Sequence, residues 1–438
     1  MLLCQQKSKP LEEKKKESRL SPLMGMERAF FEEHKESLST QYASRVQNLV
    51  NQWEATSQEV EVLQRKRIQS VQIITFFGSI TIRVRQGVNR QNHQWVSPAL
   101  VFLGIRPHQR YSPDIEKRLA ALAVETGSYE KAAAVAEATW FTVSDDAARS
   151  LVLRLGEVAE KSPAVEMLPG AASCEDTLIV MADGWNARHR GKNWGQSLKN
   201  RELPERVHWH EIRSGVIFKL SSLLAVSGKR KAIMDKHIVA VPAETSPYDF
   251  GVLLERETMR MGLVQAKAVF FVMDGGVWLW NLFKDRFEKC SKAMLDFYHL
   301  SQHLHLLSAA LHGADSSKAA QWCGKILYDL KHKSPKSLFK KLDKLLQEPP
   351  SDDPAVLKAI REQNNYFRNH ADHMDYATNA ARGVPIGSGS MESLCSQLQC
   401  RLKRTGQFWS KIGFASLLKV TVRYRNGELD ALWNALAA

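Results

Sequence analysis

Three acidic residues stand where their neighbours could bring them to one place. Asp183 ends the apolar run Leu178-Ile179-Val180-Met181 and precedes Gly184. Asp274 ends a second run, Ala268 to Met273, and precedes Gly275-Gly276. Glu392 follows Gly387-Ser388-Gly389-Ser390 at the start of a helical pattern. Short runs of Val, Ile and Phe stopped by glycine read as buried strands ending in turns. Carboxylates at two strand ends and on one helix can converge in an α/β sheet. Such a set suits Mg²⁺ or Mn²⁺, which take hard oxygen ligands. Two such ions about 3.5–4 Å apart clamp the attacking and leaving oxygens of a phosphodiester. Each acid alone also has an ordinary reading. Asp-Gly after a strand is commonly a turn, and a Glu in a first helical turn favours the helix dipole.

The helix that carries Glu392 can be drawn from its sequence. At about 100° per residue, Met391, Leu394, Leu398 and Leu402 share one buried sector. Glu392 projects from the rim of that sector, nearly in line with Ser396, Gln399 and Lys403. Lys403 stands about 16 Å further along the axis. From Arg401 to Arg425 there are seven basic residues and no acidic one, interrupted by Phe408-Trp409. Arg401, Lys403 and Arg404 are the candidate phosphate contacts there, since bases beside aromatics suit nucleic acid.

The whole chain has 438 residues and a net charge of +14. That excess points to an anionic partner, nucleic acid before membrane surface. No apolar stretch approaches the roughly 20 residues of a membrane span. Six cysteines are scattered with no C-x-x-C pair, which is neither a disulfide framework nor a zinc ribbon and fits a reducing cytosol.

Composition and periodicity divide the chain. Residues 1–25 read as a disordered basic tail, 26–70 as one long helix, and 71–110 as a β-hairpin module. Arg83 and Arg85 of that hairpin are candidate DNA contacts. Residues 111–160 read as three helices, the last two a helix-turn-helix-like DNA-binding domain offering Arg149 and Arg154. Its third helix opens with Asp145 and Asp146, which are unfavourable near phosphates. After a linker at 163–172, strands at 175–182, 208–218 and 237–241 precede a helix at 249–261. A strand at 267–273, a helix at 280–287 and a short strand at 292–295 follow. That order is the one of an RNase H-like core. The core occupies 172–310, is interrupted by an all-helical insertion at 311–381, and resumes at 382–425 with the Glu392 helix. Residues 426–438 form a tail.

These segments resemble bacterial insertion-sequence transposases of the DDE, RNase H-like superfamily, the ISKra-type group first and mutator-like transposases more distantly. The resemblance rests on Met181-Ala182-Asp183-Gly184-Trp185, Trp209-His210-Glu211 and Met273-Asp274-Gly275-Gly276-Val277-Trp278-Leu279-Trp280-Asn281. Leu295-Asp296-Phe297-Tyr298-His299, Pro385 to Ser393 and Arg401-Leu402-Lys403 continue it in the same order. It implies that Asp183, Asp274 and Glu392 form a catalytic triad holding two Mg²⁺ ions, for which Mn²⁺ can substitute. It also makes Asp296 and His299 accessory residues of the site. The implied reaction is nicking at the ends of an element, then joining of the 3′-hydroxyl ends to target DNA. The implied partners are double-stranded DNA and a second copy of the chain in a dimer or larger assembly, in the bacterial cytoplasm. No organic cofactor is implied. His299 and His303 are four apart but lack an evident third ligand, and residues 86–95 contain no cysteine, so zinc is not expected. Two rival readings are a non-catalytic DNA-binding protein derived from a transposase and a structure-selective nuclease on the same fold.

Overall fold

Ser21 caps the first helix, its hydroxyl accepting from the Met24 amide, and Pro22 supplies the fixed φ that suits a first helical position. From there the computed structural model describes residues 21–106, 109–138, 141–162, 166–195, 206–227 and 230–437. The tail expected over 1–25 lies almost wholly outside them. The described residues are mixed α/β, and the chain divides into two compact units: Met1–Arg118 with Ala136–Thr142, and Leu119–Val135 with Val143–Ala438. No helix among the described residues is long and apolar enough to cross a membrane.

The first unit begins with α1 (Pro22–Thr56) and the single turn α2 (Gln58–Glu61). β1 (Gln64–Thr75), β2 (Gly78–Val88) and β3 (Trp95–Val96) form an antiparallel sheet in that order, and α3 (Pro98–Phe102) follows. β2 alternates buried Ile80, Ile82 and Val84 with exposed residues, the period of a half-buried strand. These side chains meet Val50, Ile73, Ala99 and Ile105 in one core. Side chains of α1 satisfy the backbone of β2. Ser39 Oγ donates to the Ser79 carbonyl at 3.2 Å, and Gln47 bonds both backbone groups of Arg83. Glu54 accepts from the Arg85 amide at 2.7 Å. A helix thus covers backbone groups that would otherwise invite another strand. The long helix expected to reach residue 70 ends at Thr56, and β1 starts at Gln64. Residues 64–70 are all exposed, so the strand rests on backbone pairing with β2 and leaves no apolar period in the sequence.

The second unit is built on a five-stranded sheet. Its elements after α4 (Pro113–Glu125), α5 (Tyr129–Ala138) and α6 (Asp145–Lys161) are β4 (Thr177–Arg190), β5 (Val207–Lys219), the hairpin β6 (Leu223–Ser227) and β7 (Arg230–Ile233), and β8 (His237–Val241). Then come α7 (Pro247–Arg260), β9 (Ala268–Met273), α8 (Val277–Leu282) and β10 (Lys292–Leu295). The sheet order is β10-β9-β4-β5-β8, with β4, β5 and β8 antiparallel in succession and β9 and β10 parallel to β4. Helices α9 (Phe297–His312), α10 (Ser317–His332), α11 (Lys336–Gln347), α12 (Pro354–Asn369) and α13 (Tyr376–Ala381) intervene before α14 (Gly389–Leu402), α15 (Lys411–Arg425) and α16 (Leu429–Ala437).

Both faces of the sheet are covered, which is why its central strands read as continuous apolar runs. A Cβ on Gly215 would stand 2.8 Å from Leu254 of α7, so that helix lies close on one face. Trp185 meets Phe414 of α15 on the other. β4 does not stop at Asp183 as expected. Its pairing with β5 continues without a break from Leu178 opposite Lys219 to Arg190 opposite Val207. The glycine at 184 serves a close approach instead, since a Cβ there would come 2.5 Å from the Glu211 carboxylate. α6, the last helix of the expected helix-turn-helix-like domain, buries Ala148, Leu151, Val152, Leu155 and Gly156 and packs along α15. A Cβ on Gly156 would lie 2.5 Å from the Ser416 backbone. That helix is therefore part of the second unit rather than of a free-standing DNA-binding domain.

Candidate active site

The register of the sheet brings two of the three acids level. Met181 pairs with Val272 on the parallel neighbour β9, so two residues further along Asp183 and Asp274 stand side by side. Each has one carboxylate oxygen fixed by its own turn of chain. Asp183 Oδ1 accepts from the Gly184 amide at 2.6 Å, and Asp274 Oδ1 from the Gly276 amide at 2.8 Å. The Trp280 indole donates to the Asp274 carbonyl at 3.0 Å, which fixes the backbone there.

Asp183 shares its sheet face with Met181 and Trp185, the face that α14 covers. The buried side of α14 is Met391, Leu394, Cys395, Leu398, Arg401 and Leu402, and Glu392 is exposed at its first turn. Asp183 feels the charge of the other two. Burial first, then the charges of Asp274 and Glu392, push Asp183 up to about 6, against the opposing Gly184 amide and His299. Cys395, on the buried side of α14, is pushed up to about 12 by burial and by Asp183 and Glu392. Residues 274, 299 and 392, up to 209 positions from Asp183 in sequence, thus lie near enough to act on its charge.

Asp296, expected as an accessory residue, has a backbone-tying part. It is fully buried and caps α9, with Oδ1 accepting from the Tyr298 and His299 amides at 2.5 and 3.0 Å. Its Oδ2 accepts from the Ser388 amide at 2.5 Å, across 92 positions. Beside it the Phe297 amide donates to the Ile386 carbonyl. Asp296 ties the end of β10 to the loop that launches α14, and so positions both His299 and Glu392. His303, paired with His299 in the sequence reading, is hydrogen-bonded to Gln363 at 2.8 Å and stacked on Tyr366 at 3.6 Å.

Tyr366 is the residue that sequence reading missed. It comes from α12, and its hydroxyl would stand 2.9 Å from a Cβ on Gly275. That hydroxyl is buried with no hydrogen-bond partner, an arrangement native proteins seldom leave without a reason. Burial, then Asp274 and Asp296, hold it protonated well above the usual tyrosine range. It is a donor aimed at the Asp274 turn.

The expected phosphate contacts separate into two kinds. Lys403 and Arg404 lie at the open end of α14, with Lys403 partly exposed and Arg404 exposed. Arg401 is 5% exposed. Its guanidinium donates to the Ala123 carbonyl at 2.8 Å and the Gly127 carbonyl at 3.4 Å, and it lies over the Tyr129 and Trp409 rings. Burial pulls it down to about 10. Arg401 clamps α14 to the α4–α5 turn and is withdrawn from any ligand. Arg149 and Arg154 are exposed on α6. In the first unit Arg83 and Arg85 are exposed on β2, with Arg85 3.6 Å from the Glu54 carboxylate.

The donor chemistry at the site suits a hard divalent cation. Asp183 and Asp274 stand side by side, each with a second oxygen free of its own turn. Glu392 acts on the charge of Asp183, and the repulsion on Asp183 would fall on binding positive charge. Among the described residues no three such side chains are already drawn to coordinating distance. The acids are gathered, and closing them on a metal would need side-chain movement.

Comparison with known proteins adds little beyond this. Residues 31–201 match the family described as Uncharacterised protein family (UPF0236). That span is less than half of the chain and includes Asp183 but neither Asp274 nor Glu392. No curated protein matches the chain. Among solved structures, one titled "Crystal structure of NurA with manganese" is 14% identical, with 64% of this chain and 60% of that one covered and a TM-score of 0.11. The chain thus spans about 60% of the length of that structure, and so low a score carries no argument about fold or activity.

Proposed function

We propose that this protein is a DNA transposase of the DDE type on an RNase H-like core. It would bind the terminal repeats of an insertion sequence, nick the element ends and join the resulting 3′-hydroxyls to target DNA. The observation that carries the reading is the register that sets Asp183 beside Asp274, with Glu392 and His299 near enough to act on the charge of Asp183. The sheet supports it. In order of sequence its strands lie 5-4-1-2-3, with the first three antiparallel and the last two parallel to the first, the order and direction that an RNase H-like core would need. The helices α10 to α13, Ser317 to Ala381, would make up the insertion expected over 311–381.

Asp183, Asp274 and Glu392 would hold two Mg²⁺ or Mn²⁺ ions. When bound, these supply Lewis acidity for the attacking water or 3′-hydroxyl and for the leaving 3′-oxygen. The chain supplies the rest. Asp296 fixes the loop that aims Glu392, the Tyr366 hydroxyl offers a proton to a phosphate oxygen beside Asp274, and His299 offsets negative charge at Asp183. Lys403 and Arg404 offer cations to phosphates about 16 Å from Glu392 along α14. A second reading, a non-catalytic DNA-binding protein descended from such an enzyme, is favoured by one observation: the acids are not yet at coordinating distance.

The test is a joining assay. Purified protein, duplexes carrying the element's end sequence with a free 3′-hydroxyl, and a supercoiled plasmid are combined with Mg²⁺. Covalent joining of the labelled end to plasmid is the expected result. Metal-dependent cleavage without joining would make the protein a nuclease, and binding with neither would make it the non-catalytic descendant.

A further inference from the structure

Beyond Asp183, β9 has ended and the outer edge of β4 is taken over by another segment. Trp409 forms a parallel bridge to His189. Its carbonyl accepts from the Arg190 amide at 2.8 Å, and its amide donates to the Arg188 carbonyl at 3.1 Å. This brings the loop after α14 onto the paired ends of β4 and β5, and there cations and rings interleave. The Arg188 guanidinium lies 5.7 Å from the Trp209 ring and 5.0 Å from Phe408. Lys403 stands 5.6 Å from Trp209, and Arg190 5.3 Å from Trp194. Trp194 and Phe408 pack at 4.9 Å.

Two features set this shelf apart from a solvated charged face. The first is exposure of costly aromatic surface: Trp209 is 58% and Trp194 41% open. The second is the lack of counter-charge among the described residues. Arg188 is held by the Arg404 carbonyl and Arg190 by the Phe408 carbonyl, so their guanidiniums are positioned without being neutralised. No carboxylate pairs with Arg188, Arg190, Lys403 or Arg404 among the described residues. The Arg188 and Lys403 heads over Trp209 give one surface able both to stack and to neutralise phosphate.

We propose that this shelf binds single-stranded DNA, namely unpaired nucleotides flanking the site of cleavage. An indole can stack on a base only where that base has left its duplex, whereas phosphates are offered by duplex and single strand alike. The aromatic half of the shelf therefore selects unpaired nucleotides. The shelf is reached along both elements that bear the acids. Arg188 is five residues, about 17 Å, beyond Asp183 on β4, and Lys403 is eleven beyond Glu392 on α14. The odd spacing turns Arg188 to the opposite face of β4 from Asp183, so the flank leaves the cleft over the outer edge of the strand, beside Phe408. The proposal rests on the nucleic-acid part of the reading above and not on the metal chemistry.

The experiment uses the full chain without metal. Affinities for a fluorescein-labelled oligo(dT), which has no duplex form, for the corresponding oligo(U), and for a labelled duplex of equal length are measured by anisotropy. Intrinsic tryptophan emission is followed in the same titrations. The expected result is that Trp209→Ala weakens oligo(dT) binding about ten-fold or more, changes duplex binding less than two-fold, and removes part of the quenching. Trp209→Phe should restore most of the affinity. Equal losses for single strand and duplex, or no loss for either, would overturn the shelf while leaving duplex binding, and the reading beneath it, intact. Tighter binding of oligo(U) than oligo(dT) would overturn the assignment to DNA. Failure of the wild type to bind any of the three would sink the nucleic-acid reading itself.

Discussion

Asp183 carries an electrostatic burden that makes it an informative single residue. Its folded pKa is about 6 against an ordinary 3.8, so the folded state favours the protonated form. The associated stability is complete below about pH 4 and is lost as pH rises through 6. At neutral pH the ionised group costs the metal-free fold on the order of 2 kcal/mol, after a discount for its partial exposure. Asp183→Asn should therefore melt higher than wild type at pH 7.5 without metal, and no higher at pH 3.5; equal melting at both values would deny the coupling. Tyr366→Phe removes a buried hydroxyl that has no partner, so stability should hold or rise. If that hydroxyl serves a phosphate, DNA cleavage should fall by about 10²-fold with DNA affinity retained. Unchanged cleavage kinetics would return Tyr366 to simple packing. The acids were legible in sequence because each follows an apolar run or a glycine-serine loop. Tyr366 was not, since its neighbour at Gly275 lies 91 positions away and nothing local marks it.

Elements decide which of the expected residues can act. Asp296 joins β10, α9 and the loop before α14 through three backbone amides. Asp296→Asn can keep the helix cap but offers an NH₂ group where Ser388 needs an acceptor. Denaturant unfolding should show a loss of about 1–3 kcal/mol, accompanied by reduced cleavage and unchanged DNA affinity. Undiminished stability would mean that the loop holds itself. On α14 the two neighbouring cations should behave oppositely. Arg401→Ala leaves the Ala123 and Gly127 carbonyls without their donor and should lower the melting temperature. Lys403→Ala should leave melting alone and flatten the salt dependence of DNA binding by about one unit of slope. The reverse pattern would put Arg401 back at the ligand. Sequence periodicity placed Met391, Leu394, Leu398 and Leu402 on the buried side of α14 but not Cys395 or Arg401, and placed the strands at 237–241 and 292–295 as they stand. It failed for β1, whose first half has no apolar side, and for the hairpin of β6 and β7, which was not foreseen. It also failed at Gly184, where a glycine that reads as a stop lies inside a strand because β5 pairs with β4 on both sides of it.

At the scale of the molecule, two levels of information were unequally visible. The net charge of +14 and the alternation of strands and helices could be read directly, because both are properties of composition and order. Pairing across the sheet could not, since the register that levels Asp183 with Asp274 depends on contacts between segments 91 positions apart. Nor could the fate of α6, which displays exposed arginines while burying its other side against α15. The central claim is that three acids from β4, the end of β9 and the start of α14 form one metal-dependent phosphodiester site. The most direct measurement of it is nicking of end-sequence DNA in Mg²⁺ by wild type, Asp183→Asn, Asp274→Asn and Glu392→Gln, with DNA binding by gel shift in parallel. Wild type should cut only with divalent metal, and each variant should bind normally while cutting at least 10²-fold more slowly. Cutting at the wild-type rate by any one variant, or full cutting by wild type in the presence of chelator, would contradict the site as described.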